Sequence, residues 1–203
     1  MPVIQDRSGW CLPALLEDRA TRLGDQRLVG FDLGLASPTY AEAWHESQLI
    51  AALAERGVGP GDTVAIMLRN RAEFVLTWFA TNLLGAAQAP VNVDLRGAFL
   101  EHVLNTAGCR VAVVQEDLQE LVLDCTLEHL ERLVALDQPR DSASLQTEAF
   151  ADLDAAAAVT LPAVTPRDIA AVLFTSGTTG PAKGAEVVHD QAHLLAERAQ
   201  EIL

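Results

Sequence analysis

Six consecutive residues, Thr63-Val64-Ala65-Ile66-Met67-Leu68, predict a central β-strand in this chain. The run is too short for a helix, and its apolar character suits a strand that helices cover on both faces. Before it, Thr39-Tyr40-Ala41-Glu42 has the pattern of a capping box, in which the Thr hydroxyl and the Glu carboxylate each accept a backbone N–H at a helix start. We therefore expect a helix from Thr39 to a stop at Gly57, followed directly by the strand.

The alternation of helical and extended patterns continues after this strand. The sequence predicts a helix over 72–84, an extended run over 89–93, a helix over 97–106, a strand over 110–114, a weaker helix near 127–131 and a strand over 133–136. Such a βαβαβ order indicates an α/β fold with a mostly parallel sheet flanked by helices. Ligand-binding loops are expected at the carboxyl ends of the strands.

The remainder of the chain has a different character. Residues 137–167 are rich in Pro and Asp and predict a long surface connection with one short helix near 146–153. A strand over 169–174, a loop, a second strand over 185–188 and a helix from about Asp190 should follow. We therefore divide a single domain into a first α/β portion (1–136), a connecting segment (137–167) and a terminal portion (168–203).

Composition excludes several classes of function. The chain has 203 residues, 50% of them hydrophobic and 21% charged, as in ordinary globular proteins. Its formal charge of −14 disfavours nucleic acids and anionic membranes as partners. Residues 74–93 carry no charge, but polar and helix-breaking residues divide them, so we expect core and no transmembrane segment. The absence of a signal-peptide pattern and three widely spaced cysteines, Cys11, Cys109 and Cys125, favour a cytoplasmic location with buried thiols.

The loop between the last two predicted strands contains the residues that most clearly indicate a function. Phe174-Thr175-Ser176-Gly177-Thr178-Thr179-Gly180-Pro181-Ala182-Lys183-Gly184 combines hydroxyls, glycines and one lysine. Gly177, Gly180 and Gly184 permit the positive φ values with which backbone N–H groups converge on an anion. The segment is not a Walker A loop, which ends in Gly-Lys-Ser/Thr and leads into a helix. We interpret it as a phosphate-binding loop; the open alternative is a solvated hairpin.

This loop resembles the signature loop of the adenylate-forming (AMP-binding) superfamily, which comprises acyl- and aryl-CoA synthetases, luciferases and the adenylation domains of peptide synthetases. Pro181 and Ala182 stand in the reverse of the usual order before the lysine. Residues 38–42, 57–65 and 84–92 are similar to further core motifs of the superfamily. Residues 97–104 resemble the branch that contains crotonobetaine/carnitine-CoA and fatty acid-CoA ligases.

The resemblance implies an AMP-forming acid-CoA ligase, which uses ATP to convert a carboxylic acid to an acyl-adenylate and then transfers the acyl group to CoA. The residues expected to bind ATP are Thr175, Ser176, Gly177, Thr178, Thr179, Gly180, Lys183 and Gly184, the loop holding the β- and γ-phosphates. In the superfamily the Mg²⁺ ligand, the ribose-binding aspartate and the catalytic lysine lie in later segments. We therefore assign no catalytic residue and no metal ligand here.

The apolar stripe of the last helix continues to the final residue, which suggests that a further element covers it. We expect an N-terminal portion of a ligase that is inactive alone, and a C-terminal half is the expected complement. The alternatives are a non-catalytic nucleotide-binding or interaction module, which would dock through an open sheet edge, and half of a split ligase.

Four further signals are given structural interpretations. Gly57-x-Gly59-x-Gly61 is read as a helix stop and a turn, and the pair His189 and His193 as a helix start rather than a zinc site. An acidic cluster near 116–124 is read as a solvated helix face. The isolated His102 and His129 are given no catalytic role.

Overall fold

The computed structural model describes residues 6–30, 37–153, 160–175 and 181–202. Within these ranges the helices are α1 (Leu12–Leu23), α2 (Tyr40–Ile50), α3 (Ala72–Leu83), α4 (Gly97–Ala107), α5 (Gln119–Leu123) and α6 (His189–Ile202). The strands are β1 (Thr63–Met67), β2 (Ala87–Pro90), β3 (Val111–Val114), β4 (Arg132–Ala135), β5 (Gln146–Ala149), β6 (Ile169–Thr175) and β7 (Lys183–Val188). Short 3₁₀ turns connect several of these elements.

The seven described strands form one sheet in the order β5-β4-β3-β1-β2-β6-β7. Pairing is parallel from β5 through β6, and the edge strand β7 runs antiparallel to β6. The chain moves from β1 to β2 through α3 and back across β1 to β3 through α4. The predicted fold class, a mostly parallel sheet flanked by helices, is confirmed.

Two apolar cores lie on opposite faces of this sheet, and β1 contributes to both. Val64 and Ile66 pack into the core that includes residues of α1, α2 and α3, whereas Ala65 and Met67 pack into the core that includes residues of α4 and α5. The side chains of 64–67 are at most 1% exposed. Since successive strand residues point to opposite faces, a continuous apolar run is what a doubly covered strand requires.

The predicted capping box is present at the start of α2. The Thr39 Oγ1 accepts the Glu42 N–H at 3.2 Å, and the Glu42 carboxylate accepts the Thr39 N–H at 2.8 Å. These two hydrogen bonds lower the pKa of Glu42. After α2 a 3₁₀ turn runs to Arg56, and Gly57 ends it with a left-handed φ of 82°. The expected helix stop and turn before β1 are therefore confirmed.

The weaker helix predicted near 127–131 is wrong, because the helix lies earlier, in α5. In the intervening segment, side chains of α4 bind the backbone groups that a helix would otherwise pair. The Asn105 amide donates to the Thr126 carbonyl at 2.9 Å and accepts the Glu128 N–H at 2.9 Å. Glu101 accepts the Thr126 N–H at 2.7 Å. These tertiary contacts satisfy backbone groups of the segment without a helix.

The short helix predicted near 146–153 is also wrong. Its first half is strand β5, which extends the sheet beside β4, and its second half is a 3₁₀ turn, Phe150–Leu153. Glu148 in β5 pairs with Arg56 at 2.9 Å and with Arg132 of β4 at 3.1 Å. These half-buried ion pairs and the parallel pairing to β4 favour the strand over the local helical pattern. The segment 137–167 thus contributes to the sheet.

The end of the hairpin leads into α6, which is held against the start of α1. His189, 2% exposed, accepts the Leu12 N–H on its Nδ1 at 3.3 Å. One turn later the His193 ring stacks on the Trp10 indole, with ring centroids 4.3 Å apart. Burial lowers the pKa of His189 to about 4, against a weaker opposing influence of Asp168. The neutral His189 imidazole therefore links the end of the hairpin to the start of α1.

Candidate functional site

The predicted phosphate loop connects the two strands of an antiparallel hairpin at the sheet edge. Thr175 ends β6 and lies opposite Lys183, which begins β7. Residues 176–180, five of the eight predicted site residues, lie outside the described residues. The structure therefore places Thr175, Lys183 and Gly184 together at the mouth of the hairpin, and the two strands on either side of the loop agree with the sequence prediction.

The hairpin opens at the carboxyl edge of the parallel sheet. β6 is parallel to β2, so Thr175 lies at the edge where β1, β2 and β3 also end. The side chains of Thr175 and Lys183 are both exposed. A hydroxyl and an ammonium group offer hydrogen-bond donors and one positive charge, which suit phosphate oxygens. The same pair does not fit Mg²⁺, since this cation requires oxygen ligands such as carboxylates.

Gly184, one of the three glycines that permit positive φ values in the loop sequence, does not adopt a positive φ. The described glycines with positive φ do not include Gly184, which continues β7 opposite Phe174. A Cβ at this position would approach Val172 Cγ1 to 3.1 Å and the Phe174 ring to 3.3 Å. The glycine therefore allows the Phe174 ring to lie across the strand.

Side chains of the hairpin pack on the face of the sheet that carries α4. Phe174 and Ala182 pack against the core on this side, and a cavity of about 220 Å³ lies between them and α4. Its lining includes Asn92, Phe99, His102, Phe174, Thr175 and Ala182. His102 Nε2 is 2.8 Å from the Ala182 carbonyl oxygen. Sequence reasoning gave His102 no role, and the only available signal was its spacing of four residues from Thr106 in α4.

Arginines near this edge are already paired with carboxylates. Arg69, after β1, forms two hydrogen bonds of 2.9 and 2.7 Å with Asp117, and the pKa of Asp117 is lowered chiefly by these bonds. Arg71 likewise binds Glu73 at 2.8 and 2.9 Å and lowers its pKa. In the described ranges no ion pair joins Lys183 to a carboxylate. Lys183 is therefore available to an anionic ligand.

The other candidate sites are accounted for by structural contacts. The ring nitrogen Nδ1 of His189 is occupied by the Leu12 N–H, and no group of three or more His, Cys, Asp or Glu suited to a metal occurs among the described residues. In the acidic cluster, Asp117 pairs with Arg69 and Glu120 with Arg140. Burial raises the pKa of Cys109 to about 12, which keeps this thiol protonated. No helix in the described part of the chain is long and apolar enough to cross a membrane.

The doubly covered, mostly parallel sheet and the Thr- and Gly-rich segment at its carboxyl edge agree with the class of adenylate-forming enzymes that the sequence resembles. The model of the AMP-binding enzyme family matches residues 16–201. The chain belongs to this family, and the resemblance seen in the sequence is confirmed.

The proteins similar to this chain include acid-CoA ligases. The medium/long-chain-fatty-acid–CoA ligase FadD6 of Mycobacterium tuberculosis is 36% identical over 86% of this chain and 28% of its own length. The crotonobetaine/carnitine–CoA ligase of Salmonella paratyphi A is 30% identical over 66% of this chain and 27% of its own length. The chain thus spans between a quarter and a third of these ligases.

A solved structure shares the fold. The anthranilate CoA ligase AuaEII, in complex with anthranoyl-AMP, superposes with a TM-score of 0.83 at 22% identity. The match covers 97% of this chain and 38% of the ligase. The seven-stranded sheet therefore corresponds to part of an adenylate-forming enzyme.

Proposed function

We propose that the β6–β7 hairpin binds the β- and γ-phosphates of ATP as part of an AMP-forming acid-CoA ligase. The observation that carries this proposal is the pairing of Thr175 with Lys183 at the carboxyl edge of the sheet, in a chain of the AMP-binding family. The predicted ligands are the residues of the loop, Thr175, Ser176, Gly177, Thr178, Thr179, Gly180, Lys183 and Gly184. Hydrogen bonds to charged phosphate oxygens are stronger than neutral ones, which would offset the repulsion from a net charge of −14.

The proposed reaction has two steps. A carboxylate oxygen of the acid attacks the α-phosphorus of ATP, the bond to the β-phosphate oxygen breaks, and pyrophosphate leaves. The thiol of CoA then displaces AMP from the acyl-adenylate and retains the acyl group. By holding the β- and γ-phosphates, the hairpin would stabilise the leaving pyrophosphate and orient the α-phosphorus.

The acid is proposed to be a fatty acid or a carnitine-like acid. This choice rests on the names of two relatives, a fatty-acid–CoA ligase and a crotonobetaine/carnitine–CoA ligase. Mg²⁺ would require carboxylate ligands from another part of the enzyme, since the described donors at the hairpin do not fit a divalent cation.

We further propose that residues 1–203 bind nucleotide without completing adenylation by themselves. The chain spans 28% of the length of FadD6, so it matches only a minor part of a ligase of that size. A complementing polypeptide with the C-terminal part of a ligase would then restore activity.

One observation favours a second candidate function, that of a non-catalytic nucleotide-binding or interaction module. The edge strand β7 is exposed over residues 183–186, and Leu195 on α6 is 66% exposed. An exposed strand edge beside an apolar side chain is a surface on which another polypeptide can pair.

Two measurements on the purified chain test these proposals. Calorimetric titration with MgATP should release heat, and Lys183 should be protected from acylating reagents by the bound nucleotide. ATP–pyrophosphate exchange with decanoate, palmitate or carnitine should be absent. The absence of both heat and protection would overturn the ATP-binding proposal, whereas acid-dependent exchange would show that the chain is a complete adenylating enzyme.

A further inference from the structure

A hydrogen bond connects α4 to the residue that precedes β7, the second strand of the hairpin. His102, half-buried on α4, lies with its Nε2 2.8 Å from the carbonyl oxygen of Ala182, 80 residues further along the chain. Ala182 immediately precedes Lys183. The bond therefore acts on the residue next to the only lysine of the chain.

The bond also specifies where the imidazole carries its proton. A carbonyl oxygen can only accept, so Nε2 must be the donor. On the other side of the ring the Thr106 hydroxyl lies 3.4 Å from Nδ1, one helical turn further along α4. A hydroxyl in this position can donate to an unprotonated Nδ1, and it therefore favours the tautomer that donates to Ala182.

The helix that carries His102 is a rigid support. Leu100, Val103 and Leu104 on the same helix are at most 3% exposed and pack into the core beneath it. The helix ends at Gly108, which adopts a left-handed conformation and caps it. Because the backbone of α4 is fixed by this packing, a hydrogen bond from His102 transmits that rigidity to the hairpin.

Fixing the Ala182 carbonyl also fixes the start of β7. The peptide bond between Ala182 and Lys183 is planar and trans, so the Lys183 N–H points in the direction opposite to the Ala182 carbonyl. With that carbonyl held towards α4, the orientation of the Lys183 backbone relative to Thr175 is set. The contact therefore lies at the point where the loop returns to the sheet.

We propose that His102 is a positioning residue, which holds the Ala182–Lys183 peptide so that Lys183 and the returning limb of the hairpin face an incoming polyphosphate. The proposal rests on the function proposed above. It assigns His102 no contact with the substrate and no proton transfer.

The test compares two substitutions of His102. In His102→Gln the side-chain amide can donate near the position of Nε2, whereas His102→Leu has a similar reach but no donor. We expect His102→Leu to weaken MgATP binding about 2- to 10-fold, the range for loss of one hydrogen bond, and His102→Gln to stay within about 2-fold of wild type. His129→Leu is the matched control, since the His129 side chain is 54% exposed beyond the other end of α4.

Hydrogen exchange provides a readout that needs no nucleotide. The amides of Lys183 and Gly184 should exchange about 2- to 10-fold faster in His102→Leu than in wild type, while those of β3 stay unchanged. His102→Gln should restore the slow exchange. If the wild-type chain fails to bind MgATP, the proposed function falls, but this exchange comparison still decides whether His102 positions the hairpin.

A spectroscopic measurement on the wild-type chain protects the test against variants that do not fold. The ¹⁵N shifts of the His102 ring should identify a protonated Nε2 and an unprotonated Nδ1, and they should change when MgATP binds. The opposite tautomer would overturn the proposal. Unchanged affinity and unchanged exchange in a folded His102→Leu variant would overturn it as well.

Discussion

The centre of the sheet and its hairpin edge are built in contrasting ways. Eleven of the thirteen residues in β1, β3 and β4 are buried and the other two, Thr63 and Arg132, are half-buried, whereas the first four residues of β7 are all exposed. The contrast indicates that the centre supplies the stability of the fold, while the edge carries the proposed binding site.

The attachments of the two regions differ in the same way. The central strands are held by apolar packing into both cores and by parallel neighbours on each side. Among the described residues the hairpin pairs with one neighbouring strand, β2, and packs Phe174 and Ala182 against one core. Hydrogen bonds also hold it, between His102 and Ala182 and between Leu12 and His189, the residue that follows β7. Changes at the centre should therefore lower the stability of the whole domain, and changes at the hairpin should alter binding or local order.

The largest difference is expected between two leucines in strands. Leu133 in β4 is fully buried, whereas Leu173 in β6 is 39% exposed. Leu133→Ala should lower the free energy of unfolding by about 2–5 kcal/mol, because it removes buried methyl groups and leaves a cavity. Leu173→Ala should cost less than about 1 kcal/mol, since much of that side chain already meets water. Urea denaturation with an unchanged m-value measures both, and equal losses would contradict the division between centre and edge.

The next largest effect is expected on lowering the pH, which should weaken the contact between α6 and α1 and so lower the stability of the fold. The pKa of His189 is lowered from 6.5 to about 4 in the folded chain, so the unfolded chain takes up the proton first. The stability that neutral His189 provides is complete above pH 6.5 and is lost as the pH falls towards 4. At about 1.4 kcal/mol for each pKa unit, the loss should approach roughly 3 kcal/mol.

His189→Asn is the control for this acid effect. Its side-chain oxygen can still accept the Leu12 N–H, but the side chain does not titrate. Denaturation curves between pH 7 and pH 4.5 should show a smaller loss of stability in the variant than in wild type. The carboxylates with lowered pKa, including Glu73 and Asp117, titrate in both proteins and cancel in the comparison. Parallel pH profiles would show that His189 is not the group responsible.

The central region was predictable because its signals are local. The apolar run at 63–68, the capping box at Thr39 and the helix stop at Gly57 each specify an element from adjacent residues. Strand β5 lacks such a signal, since its sequence, Gln146–Ala149, is mostly polar and its stability depends on β4 and on arginines that are distant in sequence. Tertiary contacts therefore determine the strand conformation of that segment.

At the candidate site, composition identified the loop but not its supports. A run of hydroxyls, glycines and a lysine is visible in the sequence, whereas the contact of His102 with Ala182 joins residues 80 apart and that of His189 with Leu12 joins residues 177 apart. The need for a glycine at position 184 could not be predicted from the sequence either, because it depends on the position of the Phe174 ring. Long-range packing of this kind has no periodicity from which it can be inferred.

A substitution of Lys183 should weaken nucleotide binding and leave the stability of the fold almost unchanged. Lys183→Met keeps most of the side-chain stem and removes the charge, so MgATP binding should weaken about 10- to 100-fold, as expected for loss of a charged hydrogen bond. The free energy of unfolding should change by less than about 0.5 kcal/mol, because the side chain is exposed. Arg167→Met is the matched control, since it removes an exposed positive charge just before the opposite end of β6. Equal weakening in both variants would indicate a general effect of net charge rather than a site at the hairpin.

The smallest effect on stability is expected for a substitution at the start of α2, one of the helices that cover the central strands. Thr39→Ala removes the hydroxyl that accepts the Glu42 N–H and should lower the free energy of unfolding by about 1 kcal/mol. Thr39→Ser retains the hydroxyl and should stay close to wild type. MgATP affinity should be unchanged in both variants, because α2 contacts the scaffold rather than the hairpin. Thermal denaturation and calorimetry of the two variants measure these quantities, and a loss of affinity in Thr39→Ala would mean that the helical layer and the binding edge are energetically coupled.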